Sequence, residues 1–142
     1  MADSLPFARH NPPALGAPLG AYSQVLEIPP GSATVFLSGQ TPIREDGSVP
    51  DDFETQAERV WERIGIALAA VGLDCRHICR VVTYLVDPAD APVHARVRAR
   101  HLGSARPAST GLVVRGLFHP AYRLEVEVTA ARPPVHHDPR AR

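Results

Sequence analysis

The sequence contains no lysine, because all fifteen of its basic residues are arginine. Without a lysine amine the chain cannot form the Schiff base used by lysine-dependent aldolases and by ordinary pyridoxal-phosphate enzymes. A Walker A nucleotide-binding loop is excluded for the same reason, since that loop needs a lysine to contact the phosphates. The missing residue type therefore removes several large classes of enzyme.

Cysteine is scarce and long apolar runs are absent. Two cysteines argue against a disulfide framework and for a reducing compartment. No apolar run approaches the ~18 residues that a transmembrane helix needs, and the first ten residues lack the apolar segment of a signal peptide. We therefore expect a cytoplasmic, soluble protein with no membrane partner.

The formal net charge is zero, which gives no support for attraction to nucleic acid. The charge is unevenly distributed, because no aspartate or glutamate occurs between Ala91 and Leu124. The same segment carries six arginines: Arg96, Arg98, Arg100, Arg106, Arg115 and Arg123. They form either a solvated face with salt bridges between subunits or a local positive field that draws in a small anion.

With 142 residues the chain is long enough for one domain but too short for two of ordinary size. The first 17 residues contain several prolines and little periodicity, which indicates an irregular N-terminal arm. Residues 18–132 are expected to form a single domain. Residues 133–142 are polar and interrupted by proline, so we expect a flexible tail.

Hydrophobic periodicity predicts an α+β fold in the order ββαβαββ. Apolar residues from Phe53 to Val71 recur at spacings of three and four, which predicts an amphipathic helix that begins near Asp51 and ends at Gly72. A second helix is predicted over residues 89–102. Strands are predicted over residues 21–28, 34–38, 78–86, 112–114 and 124–129, the first two joined by a turn.

Two helices can cover only one face of the predicted sheet. We expect apolar side chains to remain on the uncovered face, and we assign Val35, Val81, Leu85 and Val113 to it. A soluble monomer rarely exposes a large apolar patch. Packing therefore predicts that the sheet is buried against other copies of the chain.

Polar residues cluster around the last two predicted strands. Glu125 and Glu127 alternate with aliphatic residues and therefore share one face of a strand. Ser109, Thr110 and Gly111 stand at the entrance of the preceding strand. These residues indicate a polar pocket on adjoining strands.

Cys75, His77 and Cys79 have the alternating spacing of possible metal ligands, but ~7 Å steps along one face of a strand suit a tetrahedral ion poorly. A Cys–His nucleophile pair is disfavoured because neighbours at this spacing rarely meet a third group that orients them. We expect no metal.

Six segments in order resemble the RidA/YjgF family of reactive-intermediate deaminases: PLGAYSQ, VFLSGQTPI, VGLD, VVTYLVDPAD, RPAST and RLEVEVTA. The resemblance runs from about Gly16 to Ala131. It implies a homotrimer of chorismate-mutase-like subunits whose sheets line a central barrel, with a ligand pocket at each subunit interface. It also implies hydrolysis of small enamines or imines to ketones and ammonia without a cofactor.

The resemblance assigns roles to particular residues. Glu125 matches the carboxylate that positions water, and Tyr22 matches the pocket tyrosine; these two are the catalytic candidates. Ser38 and Gly39 match the pocket wall. A carboxylate held beside apolar walls can have a raised pKa and exchange protons with water.

The chain departs from the family pattern after Pro107-Ala108, where deaminating members have an arginine that grips the substrate carboxylate. Here that residue is Ser109. Gly111 stands where cysteine or threonine is frequent, and Ala95 stands where many members have asparagine.

We therefore expect a hydrolase whose substrate is not a simple 2-imino acid. Arg106, Arg115 or His119 could then bind an anionic group in place of the missing arginine. The alternative is a non-catalytic trimer of the same fold that binds a small ligand or acts as a scaffold. A ribonuclease is a third choice, disfavoured by the neutral net charge and the few aromatic residues.

Overall fold

The computed structural model describes residues 5–135 of the chain. The structure in this range contains six strands and two α-helices. They are β1 (Ala8–His10), β2 (Val25–Glu27), β3 (Ala33–Gln40), α1 (Phe53–Ala69), β4 (Ile78–Leu85), α2 (Ala91–Leu102), β5 (Ala108–Val113) and β6 (Leu124–Arg132). From β2 onward this is the predicted ββαβαββ order. Most of the predicted tail lies outside the described residues.

The main sheet has four strands in the order β3-β6-β4-β5. Strand β6 is antiparallel to both of its neighbours, whereas β4 and β5 are parallel. A parallel pair needs a crossover connection, and α2 supplies it. The predicted α+β class with two helices packed on one sheet is confirmed.

The N-terminal region differs from its prediction. The first two predicted strands do not form a hairpin, because β2 pairs with β1 in a small antiparallel sheet of its own. Part of the expected irregular arm is thus a strand, which gains its backbone partners from a segment some fifteen residues further along the chain. Ser23 joins this region to the main sheet through a bridge to Ala108. The domain limits at residues 17 and 132 stay a prediction.

Helix α1 forms as its periodicity predicts. Asp52, rather than Asp51, caps its N-terminus by accepting a hydrogen bond from Thr55 N at 2.9 Å. At the other end Gly72 has φ +72°, and Leu73 N donates to Leu68 O at 2.9 Å. This paired ending is the Schellman arrangement, which a residue with a side chain at Gly72 would strain. The buried side of the helix consists of Phe53, Gln56, Ala57, Val60, Trp61, Ile64 and Leu68.

Helix α2 packs on α1 through aromatic and polar contacts. Trp61 Nε1 donates a hydrogen bond to His94 Nε2 at 3.2 Å, and both side chains are buried. Burial, and then the positive charge of Arg98, lower the pKa of His94 from 6.5 to about 4. The imidazole is therefore neutral near pH 7 and can accept the tryptophan proton.

The two faces of the sheet differ in their environment. Val35, Val81 and Leu85 belong to the core under the helices, so their assignment to the uncovered face was wrong. Pairing with β6 sets which face of the sheet each residue occupies. Val81 opposes Val128, and both side chains point into the core. Val113 lies on the helix side at the edge strand and remains exposed.

We call the opposite side of the sheet the open face. Its members are Phe36, Val82, Tyr84, Thr110, Leu112, Glu125 and Glu127, by strand alternation and cross-strand register. Phe36 is 80% exposed and Leu112 is 47% exposed. Within residues 5–135 no helix is both long and apolar enough to span a bilayer.

Candidate functional site

A cavity of about 320 Å³ lies on the open face beside the end of β3. Three strands and the loop after β5 contribute to its wall. The lining residues are Gly39, Tyr84, Val114, Gly116, Leu117, Glu125 and Glu127. The predicted pair Glu125 and Gly39 is therefore brought together in one cavity.

Glu125 lies directly against the backbone of β3. A Cβ atom added at Gly39 would lie 2.1 Å from Glu125 Oε1, which is far inside van der Waals contact. Only glycine leaves room for this carboxyl group. Burial, and then the negative charge of Glu127, raise the pKa of Glu125 above its ordinary value.

Glu127 has a different environment from its neighbour on the strand. Tyr84 OH donates a hydrogen bond to Glu127 Oε1 at 2.7 Å. This bond to the carboxylate raises the pKa of Tyr84, so the phenol stays protonated. Two carboxyl groups on one face thus have different surroundings, and a pair of this kind can supply a proton donor or acceptor beside a fixed negative charge.

A second group of predicted residues lies at the entrance of β5. Ser23 holds the N-terminal segment there, because its backbone N–H donates to Pro107 O at 3.0 Å and its hydroxyl donates to Arg106 O at 2.6 Å. Ser109 opposes Val81 and therefore lies on the helix side of the sheet. Its Oγ accepts a hydrogen bond from Arg98 Nη1 at 2.9 Å.

The sequence placed Arg98 in the acid-free arginine segment that could attract a small anion, but it did not single out Arg98 as a site residue. This arginine lies on α2, three residues after Ala95, and residues at this spacing share a helix face. That spacing was the signal that could have found it. Tyr22 is close enough to interact electrostatically with Arg98, and its hydroxyl accepts a hydrogen bond from Leu19 N at 3.3 Å.

One chain does not bring the two catalytic candidates together. Tyr22 is not among the residues that line the Glu125 cavity, and Ser109 lies on the other side of the sheet from Glu125. A cleft that contains both Tyr22 and Glu125 requires a second copy of the chain. That cleft stays a prediction.

The other predicted binding residues are dispersed. Ser38 uses its carbonyl to accept from Gln40 Nε2 at 3.1 Å. Thr110 opposes Val82 on the open face, whereas Gly111 opposes Thr83 on the helix side.

Two of the proposed replacement cations are already engaged. His119 Nδ1 accepts from Ala121 N at 3.0 Å, and its ring lies 5.0 Å from that of Tyr122. Arg106 Nη1 donates to the carbonyls of Gly103 and Ala105, each at 2.7 Å. Arg115 is exposed in the loop after β5.

The cysteine-containing segment has a structural environment of its own. His77 ends a short 3-10 helix, and its Nδ1 accepts from Asp74 N at 3.2 Å. Cys79 is in β4 and its thiol donates to Thr129 O at 3.2 Å. In the part of the chain that the structure describes, no three His, Cys, Asp or Glu side chains converge as a metal site.

Comparison with known proteins agrees with this fold. Residues 13–132 match the family model described as Endoribonuclease L-PSP. Protein DfrA of Myxococcus xanthus is 38% identical over 101 residues, which are 70% of this chain and 76% of DfrA. The chain belongs to the RidA/YjgF family.

Two crystal structures illustrate the likeness in three dimensions. The Rid-family protein YyfB from Yersinia pestis superposes with a TM-score of 0.79 at 23% identity, covering 89% of this chain and 98% of YyfB. RidA from an Antarctic Psychrobacter superposes with a TM-score of 0.65 at 28% identity, covering 80% of this chain and 90% of RidA. YyfB bears on the fold alone.

Proposed function

We propose that the protein is a cofactor-independent hydrolase that converts a small enamine or imine to a ketone and ammonia, in a cleft between copies of a homotrimer. The observation that supports it is Glu125, a half-buried carboxyl group with a raised pKa, seated on Gly39 in a cavity of the open face. A carboxyl group whose pKa is raised gives up a proton and takes it back in the same site, which is the work of a general acid and base.

The proposed reaction begins with proton transfer. Protonated Glu125 gives its proton to the enamine carbon, which produces an iminium ion. Water then adds to the iminium carbon through its oxygen, and the Glu125 carboxylate takes a proton from that water. Collapse of the resulting carbinolamine releases ammonia and leaves the ketone, so one water is consumed for each ammonia formed.

Glu127 has an electrostatic part in this proposal. Its carboxylate lies on the same strand face as Glu125 and remains hydrogen-bonded to Tyr84. A fixed negative charge beside the cavity stabilises the positive iminium ion more than the neutral enamine. The same charge disfavours the phosphate backbone of RNA, so we do not extend the ribonuclease description of the family model to this chain.

A second candidate is binding without turnover. It is favoured by the position of Ser109, whose hydroxyl is bonded to Arg98 on the helix side, away from Glu125. Among residues 5–135 the lining of the Glu125 cavity includes no cationic side chain that could bind a substrate carboxylate. Such a trimer would bind a small ligand or act as a scaffold.

The two candidates are separated by ammonia release from imines generated in situ. One substrate is 2-aminoacrylate and the other is an uncharged imine of similar size. We expect Glu125→Gln to lower turnover on the active substrate by a factor of roughly 10²–10⁴. The control Glu62→Gln, an exposed residue on α1, should retain wild-type turnover. No ammonia release above background by wild type on either substrate supports the binding protein, whereas equal turnover by wild type and Glu125→Gln contradicts the role proposed for Glu125.

The homotrimer is tested separately by analytical ultracentrifugation. The open face, with Phe36 80% exposed, is the surface expected to be buried in the trimer. We expect a species of three 15.3-kDa chains at micromolar concentration. A monomer alone would contradict the interfacial cleft.

A further inference from the structure

Arg98 is a partly buried cation that has no acidic partner among residues 5–135. Its Nη1 donates to the neutral Ser109 hydroxyl, and its Nε is buried with no hydrogen-bond partner in this range. Burial lowers the pKa of Arg98, with the Tyr22 phenol opposing the shift. Buried charges in proteins are ordinarily paired, because an unpaired one loses its hydration without compensation.

Neighbouring arginines of the same acid-free segment do have partners. Arg100 contacts Glu58, and Arg123 makes two bonds to Asp90 at 2.8 and 2.9 Å. Arg106 is bonded to backbone carbonyls. Arg98 is more enclosed than Arg100, yet a hydroxyl is its hydrogen-bond partner. The difference points to an anion that is not part of residues 5–135.

The groups around Arg98 suit a carboxylate. An arginine grips a carboxylate through two parallel N–H bonds, and the Nε–Nη2 edge is one pair that can do so. Nη2 faces Gly20, where an added Cβ would lie at 3.6 Å, so a longer side chain at this position would cover it. An anion that meets Nη2 and draws Nε into a second bond would satisfy the buried donor.

Two hydroxyl groups can complete the site. Ser109 accepts from Arg98 and can donate its own proton onward, and Tyr22, which interacts electrostatically with Arg98, carries the second hydroxyl of the proposed site. His94, one turn before Arg98, is held neutral by burial and by Arg98, so it adds no competing charge. The cation and two hydroxyls are a donor set for one carboxylate.

We propose that Arg98, with Ser109 and Tyr22, forms an anion site that binds the carboxylate of a small organic acid. The site occupies the position left without a cation by Ser109, and the charge comes from α2 instead of β5. That the acid is the substrate rests on the proposed function; the anion site does not. On this basis the substrate carries a carboxylate, contrary to the expectation that Ser109 excludes simple 2-imino acids.

The carboxylate has two conceivable sources with the same chemistry. It can belong to a free organic acid, as we propose, or to an acidic side chain of another copy of this protein. The first makes Arg98 a determinant of ligand affinity. The second makes it a determinant of association between copies.

The test measures binding rather than turnover. Isothermal titration calorimetry with 2-oxobutanoate, and with the uncharged 2-oxobutanamide as control, compares wild type, Arg98→Met, Arg98→Lys and Ser109→Ala. We expect wild type to prefer the carboxylate and Arg98→Met to lose at least tenfold in affinity for it. Arg98→Lys should retain part of the affinity, because the charge remains and the fork is lost. Arg96→Met, an exposed arginine on the same helix, is the matched control.

Three outcomes overturn the proposal. The first is equal affinity for 2-oxobutanoate in wild type and Arg98→Met, and the second is no preference of wild type for the carboxylate over the amide. The third is weakened association of Arg98→Met in sedimentation with unchanged affinity for the acid, which assigns the anion to another copy. If Arg98→Met does not fold by circular dichroism, Arg98→Lys and Ser109→Ala decide, and wild-type affinity in both overturns the site.

The proposed hydrolase stands or falls independently. Glu125→Gln should keep wild-type affinity for 2-oxobutanoate while it loses turnover. If Glu125→Gln retains turnover and Arg98→Met loses the acid, the hydrolytic mechanism fails and the anion site remains.

Discussion

The two faces of the sheet use burial for different ends. On the helix side burial lowers the pKa of His94, which becomes a neutral acceptor for Trp61 in a closed core. On the open face burial raises the pKa of Glu125 in a cavity that solvent can reach. The Trp61–His94 contact on the helix side is complete within one chain, whereas the open face leaves Phe36 exposed. Burial therefore stabilises the core on one side of the strands and raises the pKa of a carboxyl group on the other.

The largest difference between the faces is expected for aromatic truncation. Trp61→Ala removes a fully buried side chain together with its bond to His94, so we expect a loss of about 3–5 kcal/mol in the free energy of unfolding, measured by urea denaturation. Phe36→Ala is the matched change on the open face. Its effect should vary with protein concentration, because we propose that its side chain is buried between copies. If Phe36→Ala lost as much free energy of unfolding as Trp61→Ala at every protein concentration, the two faces would not differ in this respect.

Acidification should affect the helix side next most strongly. The folded-state pKa of His94 is about 4, below its ordinary 6.5, so the unfolded chain takes up a proton first as the pH falls. The contribution of neutral His94 to the free energy of unfolding is fully present above pH 6.5. It is lost as the pH falls toward about 4, which lowers that free energy by roughly 3 kcal/mol.

His94→Gln removes the protonation of His94 and keeps its hydrogen bond, because the amide oxygen can still accept from Trp61 Nε1. Its free energy of unfolding should fall less than that of wild type between pH 7 and 4.5. His10→Gln, a change at an exposed histidine, should retain the wild-type profile. Parallel curves for His94→Gln and wild type would show that His94 does not titrate as stated.

On the open face the largest effect is expected from filling the space at Gly39. A Cβ atom at this position would displace the Glu125 carboxyl group, so Gly39→Ala should lower turnover roughly a hundredfold while changing the free energy of unfolding by less than about 1 kcal/mol. Gly65→Ala, whose Cβ meets nothing within 4 Å, should keep full turnover. Normal turnover in Gly39→Ala would mean that the position of Glu125 over this glycine is unimportant.

The smallest expected effect concerns the charge beside Glu125. Glu127→Gln removes the negative charge but keeps an acceptor for Tyr84, so the pKa of Glu125 should fall while burial keeps it above its ordinary value. Carbon-13 NMR titration of the Glu125 carboxyl group measures this change. Tyr84→Phe keeps the charge of Glu127 and should leave the pKa of Glu125 raised. An unchanged Glu125 titration in Glu127→Gln would assign the shift to burial alone.

Local signals predicted most of the elements. Helix α1 is strongly periodic and its end is fixed by Gly72, so its existence followed from nearest neighbours in the sequence. Strand β5 was predicted only from its apolar end at residues 112–114. The structure extends it back to Ala108, because the parallel partner β4 satisfies the backbone of the polar residues.

Features that depend on distant partners were not predicted correctly. Strand β1 exists through its pairing with β2. The pairing of β4 with β6 determines which of its residues face the core, and these include Val81 and Leu85. Gly39 and Glu125 were found because the family resemblance places them together. Arg98 was named only as one of six arginines in the acid-free segment, and its contact with Ser109 depends on how α2 packs beside β5.

The position of β6 in the sheet constrains how the protein is made. Among the strands that the structure describes, Leu124–Arg132 comes last along the chain, yet it lies between β3 and β4 and pairs with both. During synthesis on the ribosome β3 has no strand partner in the main sheet until β6 emerges, and β4 has only β5 beside it. The edges of β3 and β4 that face β6 therefore stay unpaired until β6 is made, and unpaired strand edges of this kind promote aggregation before folding is complete.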